Sequence, residues 1–251
     1  MVTFKKISLL ALVVLAVVAL TAAAASAALI YSNDFQTAVG LGWTASPSGT
    51  PTITTAPNGQ KFLGTNSNDG ILDGTTMTLS LSGLTGYTIT SLDVDLYVIR
   101  SMDGNNSSYG PDQWQVTVNG GSGPATLLSS TFSNVTTLGD SFNQSYPNSY
   151  PVPGGNFAPA TNSSSTNTLG YTQSYGYGDS VYKFSFTNLN LPVIGDTLTI
   201  QFIQGGNQSL SDESWGLDNI KISGVPLPAS SLLLGSGMIG LGLLGWRRKR
   251  S

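Results

Sequence analysis

In Leu92-Asp93-Val94-Asp95-Leu96-Tyr97-Val98 the apolar residues Leu92, Val94, Leu96 and Val98 alternate strictly with Asp93, Asp95 and Tyr97. Successive side chains of an extended chain point to opposite faces, so this stretch sorts into one oily and one polar face only as a β-strand. The same period of two runs through Thr76 to Leu81 (Met77, Leu79, Leu81), Trp114 to Val118, Val181 to Phe186 (Tyr182, Phe184, Phe186), Leu198 to Phe202 and Trp215 to Ile222. It is fainter in Leu29 to Phe35, Gln60 to Leu63 and Leu127 to Phe132. Gly, Asn, Ser, Thr and Pro fill the connections, which is turn chemistry. The pattern predicts an all-β fold: two antiparallel sheets packed face to face, as a jelly roll or a related sandwich, with no helix between the chain termini.

Residues 134–179 interrupt the rhythm with a long polar stretch that contains Tyr146, Tyr150, Tyr171, Tyr175 and Tyr177. A connection this long inside one domain is usually functional or disordered. Its tyrosines offer flat aromatic surface for a ligand, or they simply lie on the sandwich.

The chain of 251 residues has no cysteine and no histidine. That removes disulfides, thiol chemistry, the commonest general base and the commonest transition-metal ligand. A Ser-His-Asp or Cys-His hydrolase is excluded outright, and a zinc site built in the usual way is nearly so.

Both ends differ from the middle. Lys5 and Lys6 precede the apolar run Ile7 to Leu20, followed by small residues and the A-x-A site Ala25-Ser26-Ala27, which reads as a signal peptide over 1–27, removed by signal peptidase before Ala28. A retained anchor is the alternative, but the apolar run is shorter than the roughly 20 residues a spanning helix needs. At the other end Val225-Pro226-Leu227-Pro228 leads into a Gly-rich apolar span over 230–246 and the basic tail Arg247-Arg248-Lys249-Arg250. As a helix the span is roughly 25 Å long, marginal for a hydrocarbon core of about 30 Å. Its basic end would stay cytoplasmic.

Motif, span and tail together resemble the PEP-CTERM sorting signal of Gram-negative bacteria in its VPLPA form, with Leu227 standing where the commoner form has Glu. The resemblance covers 225–251 and implies transient anchoring in the inner membrane, processing by an exosortase, and delivery to the cell surface or extracellular matrix, often where exopolysaccharide is made. An ordinary tail anchor is the alternative. The β-sandwich domain is then 28–224.

Six of the ten basic residues lie in the two ends, leaving Lys61, Arg100, Lys183 and Lys221 against all thirteen acids. So acidic a middle argues against nucleic acid or any other polyanion as partner. It is compatible with cations and neutral sugars.

Asp103 to Trp114 and Asp212 to Ile220, the latter containing Trp215-Gly216-Leu217-Asp218-Asn219, resemble the extracellular sandwich modules of PEP-CTERM proteins. That resemblance implies a fold and no activity. Asn33-Asp34-Phe35 and Asp218-Asn219 resemble the terminal strands of carbohydrate-binding jelly rolls, which implies a structural calcium held by Asp34 and Asp218; backbone capping at a sheet edge is the alternative. Asp103, Asn105, Ser107 and Asp112 could also supply oxygens to calcium. Their order departs from the EF-hand loop, and a hairpin loop bonding its own backbone accounts for them equally.

Carboxylate pairs are the one catalytic chemistry left, as in glycoside hydrolysis. Asp212 and Glu213 are adjacent and would face opposite ways on a strand, and Asp93 and Asp95 suit an ordinary solvated face. Two noncatalytic readings remain: a module that binds exopolysaccharide, with Trp43, Tyr97 and Tyr109 as aromatic platforms, or a purely structural matrix protein without ligand.

Overall fold

The computed structural model describes residues 26–47, 49–151, 155–206 and 208–226. Of the expected signal peptide over 1–27, residues 1–25 lie outside them, as do the motif residues Leu227 and Pro228, the apolar span and the basic tail. No helix among the described residues is long and apolar enough to cross a membrane.

Among the described residues fourteen strands form two sheets: β1 (Ala28–Asn33), β2 (Trp43–Ser46), β3 (Thr52–Thr55), β4 (Lys61–Gly64), β5 (Ile71–Leu72), β6 (Thr76–Leu81), β7 (Tyr87–Arg100), β8 (Gln113–Asn119), β9 (Ala125–Thr131), β10 (Ser165–Thr166), β11 (Asp179–Phe186), β12 (Leu191–Pro192), β13 (Leu198–Gln204) and β14 (Glu213–Pro226). The larger sheet runs β10-β11-β7-β14-β4-β3, with β1 and β5 also pairing β14 and β12 pairing β7; the smaller runs β2-β6-β13-β8-β9. All pairings with an assigned register are antiparallel. One compact unit extends from Leu29 to Gly224.

Each of the nine stretches read as strands forms one. Leu92, Val94, Leu96 and Val98 of β7 enter the core between the sheets, where they meet Trp114, Val116 and Val118 of β8 and Ile200 and Phe202 of β13. Each fully buried aliphatic side chain contributes about 1.5–3 kcal/mol. The aromatic centre is Trp114, stacked on Phe184 and Phe202 and edge-on to Trp215.

In β14 the inward set is Trp215 and Leu217, then Ile220 and Ile222, so the alternation changes phase between Leu217 and Ile220. Asn219 causes this: its φ of 50° is left-handed, a conformation that Asn tolerates and that inserts a bulge. Gly216 has a packing reason, because a Cβ there would overlap the ring of Phe62.

The expected loop over 134–179 is a packed covering. It contains a 3-10 turn at Asp140–Phe142 and the short strand β10. Leu169 and Tyr171 join Ala56, Phe62, Tyr97, Ile99 and Val181 in a second apolar cluster, on the face of the larger sheet opposite the main core. Gln144, fully buried, anchors the covering: its amide donates to the carbonyls of Tyr146 and Thr161, and its Oε1 accepts from the Tyr182 hydroxyl and the Ala160 N–H.

Candidate functional site

The smaller sheet has an unusual surface. None of its five strands carries an ionisable side chain. β6, β8 and β13 alternate without a break, so the inward residues are apolar except Gln204, and the outward ones of these strands are hydroxyls and amides except Ile203. Register lines these up into rows. Thr44, Thr78, Gln201, Thr117 and Thr126 are successive cross-strand partners from β2 to β9. Ser46, Thr76, Ile203, Gln115 and Ser129 form the next row. At about 4.8 Å per strand each row spans roughly 19 Å. The result is an uncharged array of donors and acceptors around Ile203, with the Ser129 hydroxyl at its edge held by Gln113 and the Tyr150 carbonyl, and it is suited to a neutral, hydroxyl-rich partner.

The residues expected as aromatic platforms fare differently. Trp43 does not face solvent: it lies between Phe35 and Phe202, and its indole N–H donates to the Tyr31 hydroxyl at 2.9 Å. Tyr97 does not either, being 4 % exposed beneath the covering segment. Both expectations fail because the sequence shows a strand's two faces but not what packs over each. Tyr109 is 61 % exposed, with its ring stacked on Phe142 at 6.3 Å. Of the tyrosines in the covering segment, Tyr175 is exposed and Tyr171 is buried. Tyr171 borders an open cleft of about 280 Å³ with Asn68, Asp69 and Arg100. There the Arg100 guanidinium already sits over its ring at 5.4 Å and pairs with Asp69 at 2.6 Å.

The expected calcium pair is divided between two environments. Asp34 is exposed, and its Oδ1 accepts from the Gln36 N–H. Asp218 is buried and accepts from the Tyr97 hydroxyl at 2.7 Å and the Gln60 amide at 3.1 Å. Oxygens of the Asp103–Asp112 loop are likewise used internally. Asn106 Oδ1 accepts from the Ser108 and Tyr109 N–H groups, and Asp112 Oδ2 accepts from the Asp103 and Gly104 N–H groups.

Carboxylates converge elsewhere, at a place the sequence reading missed. Asp73 follows β5, Asp112 precedes β8 and Glu213 begins β14; all three are buried, and one oxygen from each lies within 4.8 Å of the others. Asp73 accepts from the Gly74 and Gln208 N–H groups, and the Gln208 side-chain amide donates to Glu213 Oε1 and to Asp103 Oδ2. Burial, then the charges of Asp112, Asp103 and Asp73, pushes Glu213 up to about 12. Burial likewise holds Asp112 well above the ordinary carboxylate range and raises Asp103. Were these acids ionised together, each pair would repel by about 3 kcal/mol at this separation and an effective dielectric of 20, which favours their neutral forms. Nothing but distant chain order hid the cluster, since residues 73, 112 and 213 meet only through the topology.

No family model and no curated protein matches this chain. Among solved structures it is similar to the xylan-binding domain from CBM 22, formerly called x6b: 12 % identity, 81 % of this chain and 97 % of that one, TM-score 0.38. It is also similar to the C-terminal family 22 carbohydrate-binding module of Clostridium thermocellum Xyn10B, at 11 % identity, 80 % and 96 % coverage and a TM-score of 0.38. A third is the CBM22-1 xylan-binding domain of Paenibacillus barcinonensis Xyn10C, at 14 % identity, 81 % and 99 % coverage and a TM-score of 0.35.

Proposed function

We propose that this chain is an exported cell-surface or extracellular-matrix protein whose jelly-roll-type sandwich holds neutral polysaccharide, without catalysis, on the outer face of its five-stranded sheet. The observation that carries the binding reading is the charge-free set of Thr, Ser and Gln side chains that the cross-strand rows bring together around Ile203 from β2 to β9, with one register shift between β8 and β9. Hydroxyl and amide groups exchange hydrogen bonds with sugar hydroxyls, and the absence of ions on this face leaves nothing that would require a charged partner. The export reading rests on the two chain ends: a signal peptide cut by signal peptidase and a terminus handed to an exosortase. A noncatalytic role accords with the burial of Glu213, which could not reach a glycosidic bond, and with Lys183 and Asn219 holding Asp95.

Retention of the full-length chain on insoluble neutral polysaccharides, and on the producer's own exopolysaccharide, tests the binding reading. Thr78→Asp and Gln201→Glu should each weaken retention about tenfold, which is ~1.4 kcal/mol. No retention on any of these materials would leave the purely structural matrix role. Mass spectrometry of protein from the producing cell tests the export reading: a mature chain beginning at Ala28 and lacking the apolar span and basic tail is expected.

A further inference from the structure

We propose that Asp73, Asp112 and Glu213 form a binding site for a hard divalent cation of the calcium class, which ties three separate connections together at one end of the sandwich. Three observations carry it. The first is the donor set: carboxylate oxygens alone, from three different segments, within 4.8 Å of one another. Calcium–oxygen distances of about 2.3–2.6 Å let ligands on opposite sides of one ion stand roughly that far apart, whereas magnesium at about 2.0–2.1 Å demands a tighter shell.

The second observation is independent of the clustering. Asp112 is 1 % and Glu213 0 % exposed, yet Asp112 Oδ1 and Glu213 Oε2 have no hydrogen-bond partner among the described residues. The opposite oxygens are already engaged, Asp112 Oδ2 by the Asp103 and Gly104 N–H groups and Glu213 Oε1 by Gln208. Such groups cost free energy unless something satisfies them. A water could serve one oxygen, whereas a divalent cation would engage both and favour their ionised forms.

The third observation is the surroundings. Neither ion pair among the described residues, Arg100–Asp69 or Lys183–Asp95, involves Asp112 or Glu213. The bonds that hold these two come from backbone N–H groups and the Gln208 amide, which orient acidic oxygens without neutralising them. Asp73 and Glu213 belong to segments of the larger sheet, and Asp112 adjoins β8 of the smaller one. One ion would therefore clip the two sheets together.

The site is tested on the full-length chain stripped with a chelator and titrated with calcium, magnesium and terbium. Trp114 and Trp215 share a small cavity with Asp112, so terbium in the cluster should luminesce on tryptophan excitation. Calcium should displace it and should raise the unfolding midpoint by about 5–10 °C at a hundredfold excess over Kd. Glu213→Gln and Asp112→Asn should each abolish both responses while folding about as well as the stripped parent, because each keeps the shape of a carboxyl that is neutral there. Asp34→Asn should retain both responses. The proposal is overturned if no cation moves the midpoint and terbium stays dark, or if both responses survive in Glu213→Gln and Asp112→Asn.

Discussion

The hydroxyl of Tyr97 donates to Oδ2 of Asp218 at 2.7 Å, joining β7 to β14 on the covered side of the larger sheet. Ordinary alternation after the inward Leu217 turns Asp218 to that side, and the left-handed Asn219 stays on it too, its amide reaching Asp95 at 2.9 Å, before Ile220 returns to the main core. Burial, then the charge of Asp218, raises the phenol well above its ordinary range, so the donated proton stays on Tyr97.

Tyr97→Phe keeps the ring against Phe62 and removes the donor. A hydrogen bond to a buried charged acceptor is worth about 1.5–3 kcal/mol. Denaturant unfolding should therefore show a loss of roughly 2 kcal/mol with an unchanged m-value; an unaltered midpoint would mean that Gln60 alone satisfies the carboxylate.

Asp218 is pushed up to about 6, first by burial and further by Asp95, while bonds from Tyr97, the Asn219 N–H and Gln60 pull it back. The folded state therefore holds this proton more tightly than the unfolded one. Its contribution is fully present below about 3.8 and is lost as the pH rises through about 6, by at most roughly 3 kcal/mol. Stability measured across that window in saturating calcium should fall for the parent and change less for Asp218→Asn.

Trp43→Ala should behave as a core truncation. Removing an indole packed between Phe35 and Phe202 leaves a cavity, and large-to-small changes of this kind cost about 3–5 kcal/mol. Thermal unfolding should report that loss, while the fraction that remains folded should be retained on polysaccharide as well as the parent is.

Gly206→Ala tests the wall of the acidic cluster. A methyl at this position would overlap the Asp73 carboxylate and push it away from Asp112 and Glu213. Calcium-dependent stabilisation should disappear, although no ligand has been replaced; an undiminished response would place the ion elsewhere.

The strands were legible where one face is buried and the other wet, as in Leu92 to Val98, because that asymmetry is written as a period of two. Trp43–Ser46 and Thr52–Thr55 were not legible, being too short to establish a period. The phase change at Asn219 was hidden as well, since a single left-handed residue leaves no compositional trace. Trp43 and Tyr97 were misread for a related reason: an aromatic residue in a strand looks the same whether solvent or a covering segment lies over it. Asp112 and Glu213 each stood out in the sequence, but their meeting with Asp73 depends on three chain crossings that no local pattern encodes.

Segregation of charge between the two sheets bears on how the molecule would cling to its surroundings. Mobile ions screen attraction between exposed opposite charges, almost fully beyond a Debye length of about 8 Å at physiological strength, and they leave hydrogen bonds between neutral groups largely untouched. A grip made by the five-stranded face should therefore survive brine and rainwater alike, so a protein attached this way would not be rinsed from its matrix by swings in salinity.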